Sequence, residues 1–330
     1  MPNKDFLEDK DSAFDRNLRP QNLGDFIGQN RIKKSLNVFI KAAKEREEPL
    51  EHILFHGPPG IGKTTLAYII GNELNSPVKI TSGPAIERVG DLAAILSGLE
   101  DKDILFVDEI HRLNRHIEEI LYPAMEEGKI DLVVGKGPSA QVLRLDLPRF
   151  TLVGATTKFA SLSSPLRDRF GIIYRLNFYE PEDIKEIIKR NAQILGISIS
   201  EEAQDLLASR CRFTPRVANR LLKRLRDFAQ VEKKQEVDAR LAKKALEMLE
   251  IDTCGLDDLD RKILITIQSK FCGGPVGINA LSSAIGEERA TLEEVYEPYL
   301  MRLGFLERTP KGRVISGSAI KHLKNNKMDI

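Results

Sequence analysis

The chain has 330 residues, 42% hydrophobic and 30% charged, with a formal net charge of +1. That length suits two or three soluble domains, and the near-neutral balance excludes a general polyanion binder without excluding a local basic patch. Trp is absent and aromatic residues are 6%, which leaves stacking on bases without much support. No apolar run approaches the roughly 20 residues of a membrane span, and the charged start does not read as a signal peptide, so a cytoplasmic location is expected. Cys211, Cys254 and Cys272 are scattered and lack metal-ligand spacing. They are expected to be buried apolar residues kept reduced.

In chain order, residues 1–17 read as a polar, acidic tail, with order beginning near Leu18-Arg19-Pro20. Ile32, Leu36, Phe39 and Ile40 recur at helical spacing. From Ile53 onward, short apolar strands alternate with helices: Ile53-Leu54-Phe55, Val78-Lys79-Ile80, Ile104-Leu105-Phe106-Val107 and Thr151-Leu152-Val153-Gly154-Ala155. Strands apolar throughout suit a parallel sheet covered on both faces, so a doubly wound α/β domain is predicted. Residues 129–150 break the rhythm. Ile130, Leu132 and Val134 alternate, Gly135-Lys136-Gly137-Pro138 gives a turn, and Val142 to Leu147 runs back, which predicts an inserted hairpin. From Glu182 to Leu249 the pattern is purely helical, with stripes at Ile184, Ile187 and Ile188, at Leu221, Leu222, Leu225 and Phe228, and a last helix from Ala239. After Gly255, helices are predicted at Asp260–Ile267, at Ile278–Ile285, and from a capping box at Thr291-Leu292-Glu293-Glu294. A ribbon at Phe305–Arg308 and Arg313–Ile315 completes a winged helix.

Gly57-Pro58-Pro59-Gly60-Ile61-Gly62-Lys63-Thr64 follows a strand and opens a helix, the context a phosphate-binding loop requires. Its glycines turn backbone amides inward, the helix N-terminus adds positive potential, Lys63 is expected on the β- and γ-phosphates, and Thr64 on Mg²⁺. A chance Gly-rich turn explains this poorly with both flanks in place. Asp108-Glu109 ends a neighbouring strand. Asp108 is the candidate metal acid and Glu109 the group that polarises water. Arg167 and Arg169 follow the next strand. Arg169 is the candidate cation for the departing phosphate of an adjacent subunit, against the plainer alternative of an ion pair with Asp168. His111 and His116 lack ligand spacing, and His111 is placed in the helix after the metal acid.

Longer strings are more specific. Thr81-Ser82-Gly83-Pro84, Asp108-Glu109-Ile110-His111-Arg112-Leu113, Leu121-Tyr122-Pro123-Ala124-Met125-Glu126, Pro215 to Leu222 and Gly286-Glu287-Glu288-Arg289 resemble the RuvB family of AAA+ ATPases, and the likeness runs from about Leu18 to His322. The resemblance implies an AAA+ P-loop domain at 18–181, a small helical lid at 182–254 and a winged helix at 255–330. It implies ATP with Mg²⁺, and a homo-hexamer that drives branch migration of Holliday junctions in recombination and repair. Duplex DNA flanking the junction, RuvA and, in a larger complex, the RuvC resolvase are the implied partners, with no membrane. Thr157 would stand at the sensor-1 position and Arg216 at sensor 2. The implied nucleotide contacts are Leu18, Arg19, Gly60, Gly62, Lys63, Thr64, Thr65, Glu126, Glu127, Gly128, Arg169, Tyr179 and Arg216. Arg289, Arg308 and Arg313 would touch DNA, on a tail from Arg302 to Met328 with seven basic residues and one acid. Leu143 and Leu145 would dock RuvA. Phe213 departs from the family, which has Gly before Thr-Pro-Arg, as do Lys158, Phe159 to Ser163 and Glu127-Gly128. A clamp-loader subunit is the nearest alternative, opposed by the winged helix and hairpin. A protein-remodelling ATPase would need gripping aromatic pore loops that are not evident.

Overall fold

Five short strands form one parallel sheet in the order β2-β3-β6-β1-β7, with β1 Ile53–His56, β2 Val78–Ser82, β3 Ile104–Asp108, β6 Thr151–Thr156 and β7 Ile172–Arg175. The computed structural model describes residues 17–134 and 141–325, with backbone alone at 133 and 134. The 1–16 part of the acidic tail, the hairpin turn at 135–138 and Lys327 lie outside the described residues. The chain divides into two units: residues up to Gly57 with Ile61–Asn177, and Pro58–Gly60 with Phe178 onward.

In the first unit, the three central strands are apolar on both faces because helices cover both, and Leu54, Phe55, Leu105, Phe106 and Leu152 are fully buried. The edges differ. Ile80 on β2 is 47% exposed, so that strand does not have both faces covered as its composition predicts. Strand β7, too short to stand out in the sequence, closes the other edge beside β1. Gly154 in β6 has a packing reason. A Cβ there would lie 3.0 Å from Phe170, 3.1 Å from Ile110 and 3.2 Å from Leu54. The helix Asn30–Arg46 buries Ile32, Leu36 and Ile40, whereas Phe39 is exposed. The insertion is an antiparallel hairpin, β4 Lys129–Val134 with β5 Gln141–Asp146, in which Asp131 opposes Arg144 as a double-bonded ion pair at 2.7 and 2.9 Å.

The second unit begins with helices Pro181–Ile194, Glu201–Arg210, Pro215–Val231 and Ala239–Met248. It is not purely helical as predicted. Ser198–Ile199 and Glu236–Val237 form a small parallel pair, β8 and β9. Thr214 caps the Pro215 helix through Val217 N–H, and Pro215 takes the first turn, where its missing N–H costs nothing. The chain continues with helices Asp258–Phe271 and Ile278–Ile285, ribbon β10 Leu306–Thr309 with β11 Gly312–Ile315, and helix Gly317–Asn325 around one core. The predicted capping box is absent. Helix begins at Arg289, Thr291 already has helical backbone with no side-chain cap bond, and Leu292–Tyr296 is a π-turn before the Glu297–Arg302 helix.

Candidate functional site

The sheet order explains why chemistry converges in the first unit. Strand β6 lies between β3 and β1, with Val107 opposite Gly154 and His56 opposite Thr156. Adjacent strands lie about 4.8 Å apart. The carboxyl ends of β1, β6 and β3 therefore present Gly57, Thr157 and Asp108-Glu109 side by side, where open α/β sheets bind ligands.

Gly57 has φ 142°, and a Cβ there would stand 2.3 Å from the Leu176 carbonyl, so only glycine fits. Lys63 is buried and its Nζ donates to the Gly57 carbonyl at 2.9 Å. Thr64 and Thr65 occupy the first turn of the Lys63–Leu74 helix, which Gly62 opens at φ 103°.

Glu109 has a left-handed backbone, φ 48°, and its N–H donates to Asp108 Oδ1 at 2.9 Å. This bend brings its carboxylate to Thr157 Oγ1 at 3.5 Å and His111 Nε2 at 3.4 Å. His111 Nδ1 meets Thr156 Oγ1 at 2.9 Å. His111 is thus a neighbour of the proposed water-polarising carboxylate, in a short 3₁₀ turn rather than the following helix. The sequence carried no spacing signal for it.

Arg169 does not pair with Asp168. It donates to the Pro165 carbonyl at 2.8 Å, reaches Glu126 at 3.3 Å, and lies 4.1 Å over the Tyr122 ring. Tyr122 is braced by Glu118 and Ser163, each 3.2 Å from its hydroxyl. Tyr122, Glu118 and Ser163 are supports that sequence reasoning missed. Glu127 ends the Arg115–Glu126 helix and Gly128, at φ 64°, turns the chain into the hairpin.

Leu18 is buried, and the Arg19 guanidinium lies 5.2 Å over the Tyr68 ring of the phosphate-loop helix. In the second unit, Tyr179 is buried and its N–H donates to the Phe213 carbonyl at 3.1 Å. Burial pushes its phenol well above the usual range. The Arg216 N–H donates to the Gly60 carbonyl at 3.3 Å. Phe213 and Arg212 both have left-handed backbones, φ 55° and 56°, a strain glycine would avoid. The Phe213 ring packs 6.2 Å from Tyr299, so the departure from glycine is compensated by an aromatic contact.

On the hairpin, Leu143 and Val142 are 49% and 64% exposed, but Leu145 packs partly into the core opposite Ile130. The expectation of an exposed Leu145 is therefore corrected, because it shares a strand face with the buried Ile130. The three basic candidates after residue 255 also separate, Arg289 at a helix start and Arg308 and Arg313 on the ribbon. Arg289 is exposed and pairs with Glu293 at 3.2 Å. Arg308 donates to Glu297 at 2.6 Å and stays 44% exposed. Arg313, 13% exposed, donates to Glu297 at 2.8 Å and Glu293 at 2.9 Å, and so is held mainly within the protein. Among the described residues, no helix is long and apolar enough to cross a membrane, and no three acidic, His or Cys side chains form a metal cluster.

Family models cover nearly all of the chain. Residues 18–176 match the Holliday junction DNA helicase RuvB P-loop domain, 179–252 the RuvB AAA lid domain, and 253–324 the RuvB C-terminal winged helix domain. Among solved structures, the Thermotoga maritima RuvB Holliday junction branch migration motor is 50% identical over 95% of this chain and 99% of its own, with a TM-score of 0.87. A lysine-to-arginine mutant of that protein gives 50% identity and a TM-score of 0.88 over 95% and 99% of the two chains. An arginine-to-alanine form gives 49% and 0.86 over the same shares. P-loop domain, lid and winged helix match in that order along the chain, which belongs to the RuvB family of P-loop AAA+ ATPases.

Proposed function

We propose that this chain is an ATP-dependent DNA motor that assembles as a hexameric ring on duplex DNA and drives branch migration of Holliday junctions with RuvA, in recombination and DNA repair. RuvC would join a larger complex. The observation that carries the reading is the convergence of Lys63, Asp108, Glu109 and Thr157 on the carboxyl ends of three adjacent strands. The division into an ATPase domain at 18–181, a lid at 182–254 and a winged helix at 255–330 is part of it.

The residues fit ATP with Mg²⁺. The loop glycines and buried Lys63 suit phosphate oxygens, and Thr64 with Asp108 supplies hard oxygen ligands. A bound Mg²⁺ would neutralise charge developing on the phosphates. Glu109 accepts a proton from the attacking water, and Thr157 fixes the carboxylate through its hydroxyl. Arg169 serves the nucleotide of a neighbouring subunit, beside Glu126, Glu127 and Gly128. Leu18, Arg19 and Tyr179 border the base, and Arg216 with Gly60 reports on the phosphates.

The decisive assay supplies purified protein with ATP, Mg²⁺, RuvA and a synthetic four-way junction. Separation of the junction into branch-migrated duplexes, with ATP turnover stimulated by duplex DNA, is the expected result. Turnover stimulated by unfolded protein, or by a sliding clamp instead of duplex, overturns the reading. Leu143→Asp, at a half-exposed position nearer the hairpin's tip than Leu145, is expected to weaken RuvA capture at least tenfold in a binding titration, because a charge replaces an apolar contact. Gly60→Ala would put a Cβ 2.9 Å from the Arg216 Cβ at φ 75°. It is expected to raise the KM for ATP several-fold in steady-state kinetics, by displacing Arg216.

A further inference from the structure

The three cysteines do not share one environment. Cys211 is buried, Cys272 is exposed at the end of a helix, and Cys254 is partly buried. Expected burial therefore holds for Cys211 alone. Cys254 Sγ lies 3.6 Å from His322 Nδ1, and His322 Nε2 lies 2.8 Å from Asp252 Oδ2. With Nε2 donating to the carboxylate, Nδ1 of the neutral ring is the acceptor, and it faces the thiol. Asp252 is fixed in turn. Its other oxygen accepts the Cys254 and Leu256 N–H groups at 2.8 and 2.9 Å. The Phe305 ring packs 5.1 Å from the imidazole.

Other charged groups act on the sulfur. Arg210, at the end of the Glu201–Arg210 helix, adds a second cation toward both Cys254 and Asp252, with Glu247 as an opposing acid. The Tyr299 hydroxyl donates to the Cys254 carbonyl at 2.5 Å. Hydrogen bonds to Asp252 and Cys254 push His322 up to about 9, which favours the proton on the ring once it has left the sulfur.

We propose that Cys254 is a nucleophilic thiol, with His322 as its proton acceptor and Asp252 as the orienting group, and that it undergoes exchange with low-molecular-weight disulfides. This nucleophile–base–carboxylate order is the general arrangement for activating a sulfur. The thiol proton moves to His322 Nδ1. The sulfur attacks one sulfur of the disulfide, forming a new S–S bond as the old one breaks. The electron pair leaves with the departing sulfur, which takes the proton from the imidazolium. Cys254 is oxidised to a mixed disulfide and one thiol is released.

Cys272 and Cys211 are internal standards in the same chain. The folded full-length protein is treated with iodoacetamide across pH 6 to 9, and each cysteine's alkylation rate is read by peptide mass spectrometry. Because His322 stands ready to take the thiol proton, Cys254 is expected to react about tenfold faster than Cys272 at pH 6. The lead of Cys254 over Cys272 is expected to narrow from pH 6 to pH 8, because a built-in proton acceptor matters less as hydroxide becomes available. Oxidised glutathione is expected to form its mixed disulfide at Cys254 first. His322→Gln should remove the advantage, with circular dichroism checking the fold. Should that variant unfold, the wild-type pH profile decides. A Cys254 rate at or below that of Cys272 at pH 6, parallel pH profiles, or an undiminished rate in folded His322→Gln overturns the proposal.

Discussion

Exchange of Glu109 for glutamine is expected to lower ATP hydrolysis by about 100- to 10,000-fold while leaving nucleotide bound. The amide keeps the shape and can still meet Thr157, which lies 3.5 Å from the carboxylate, but it cannot take a proton from water. Binding should persist because Lys63 and the loop amides are untouched. Lys63→Ala is expected to differ, losing nucleotide affinity itself. His111→Ala should fall between, about tenfold slower, since a neighbour that holds the carboxylate is removed. Single-turnover hydrolysis with a fluorescent nucleotide titration separates the three. Turnover of Glu109→Gln within a few-fold of wild type would remove Glu109 from the chemistry. Mixing Glu109→Gln with Arg169→Ala subunits adds a test of the ring. If Arg169 serves a neighbour, some interfaces join an intact carboxylate to an intact guanidinium, and activity returns above that of either variant alone. No recovery would place Arg169 outside trans catalysis.

How much of this was legible in the sequence follows from the range of the forces involved. Strands β1, β3 and β6 are apolar throughout because helices cover both faces, and composition reports that directly. Strand β7 has one neighbour and only four residues, Ile-Ile-Tyr-Arg, too short a run for its β-forming residues to be told from an apolar loop. The phosphate loop was readable because its chemistry fixes residue types at fixed spacing. His111 and Tyr122 were not, because they act on Glu109 and Arg169 through contacts that only folding creates. The Thr291 string matched a capping box, yet helix had begun at Arg289, and tertiary packing overrode the local signal. Phe213 at a left-handed position contradicts local preference, and the contact with Tyr299, 86 positions later, answers for it.

Glu297→Ala is expected to cost about 3 kcal/mol of stability in the winged-helix portion, the low end for breaking a buried ion pair. The carboxylate is fully buried and accepts from two guanidinium groups, Arg308 at 2.6 Å and Arg313 at 2.8 Å. Without it, Arg313 would remain mostly enclosed, with Glu293 its remaining charged partner among the described residues. Arg308 is 44% exposed and can turn to water, which is why the upper end of the range does not apply. The arrangement gives the two arginines different duties. Arg313→Ala should destabilise the unit, seen as a lower midpoint in urea. Arg308→Ala should leave that midpoint within about 0.5 kcal/mol. It should instead weaken duplex binding almost equally across sequences and reduce the salt slope by about 1, as loss of one phosphate contact requires. Glu297→Gln, which keeps hydrogen bonding without charge, should fall between alanine and wild type in stability. If Arg313→Ala lowers DNA affinity with an unchanged urea midpoint, Arg313 faces the phosphates in the working ring, and the Glu297 pair is a resting contact that DNA displaces.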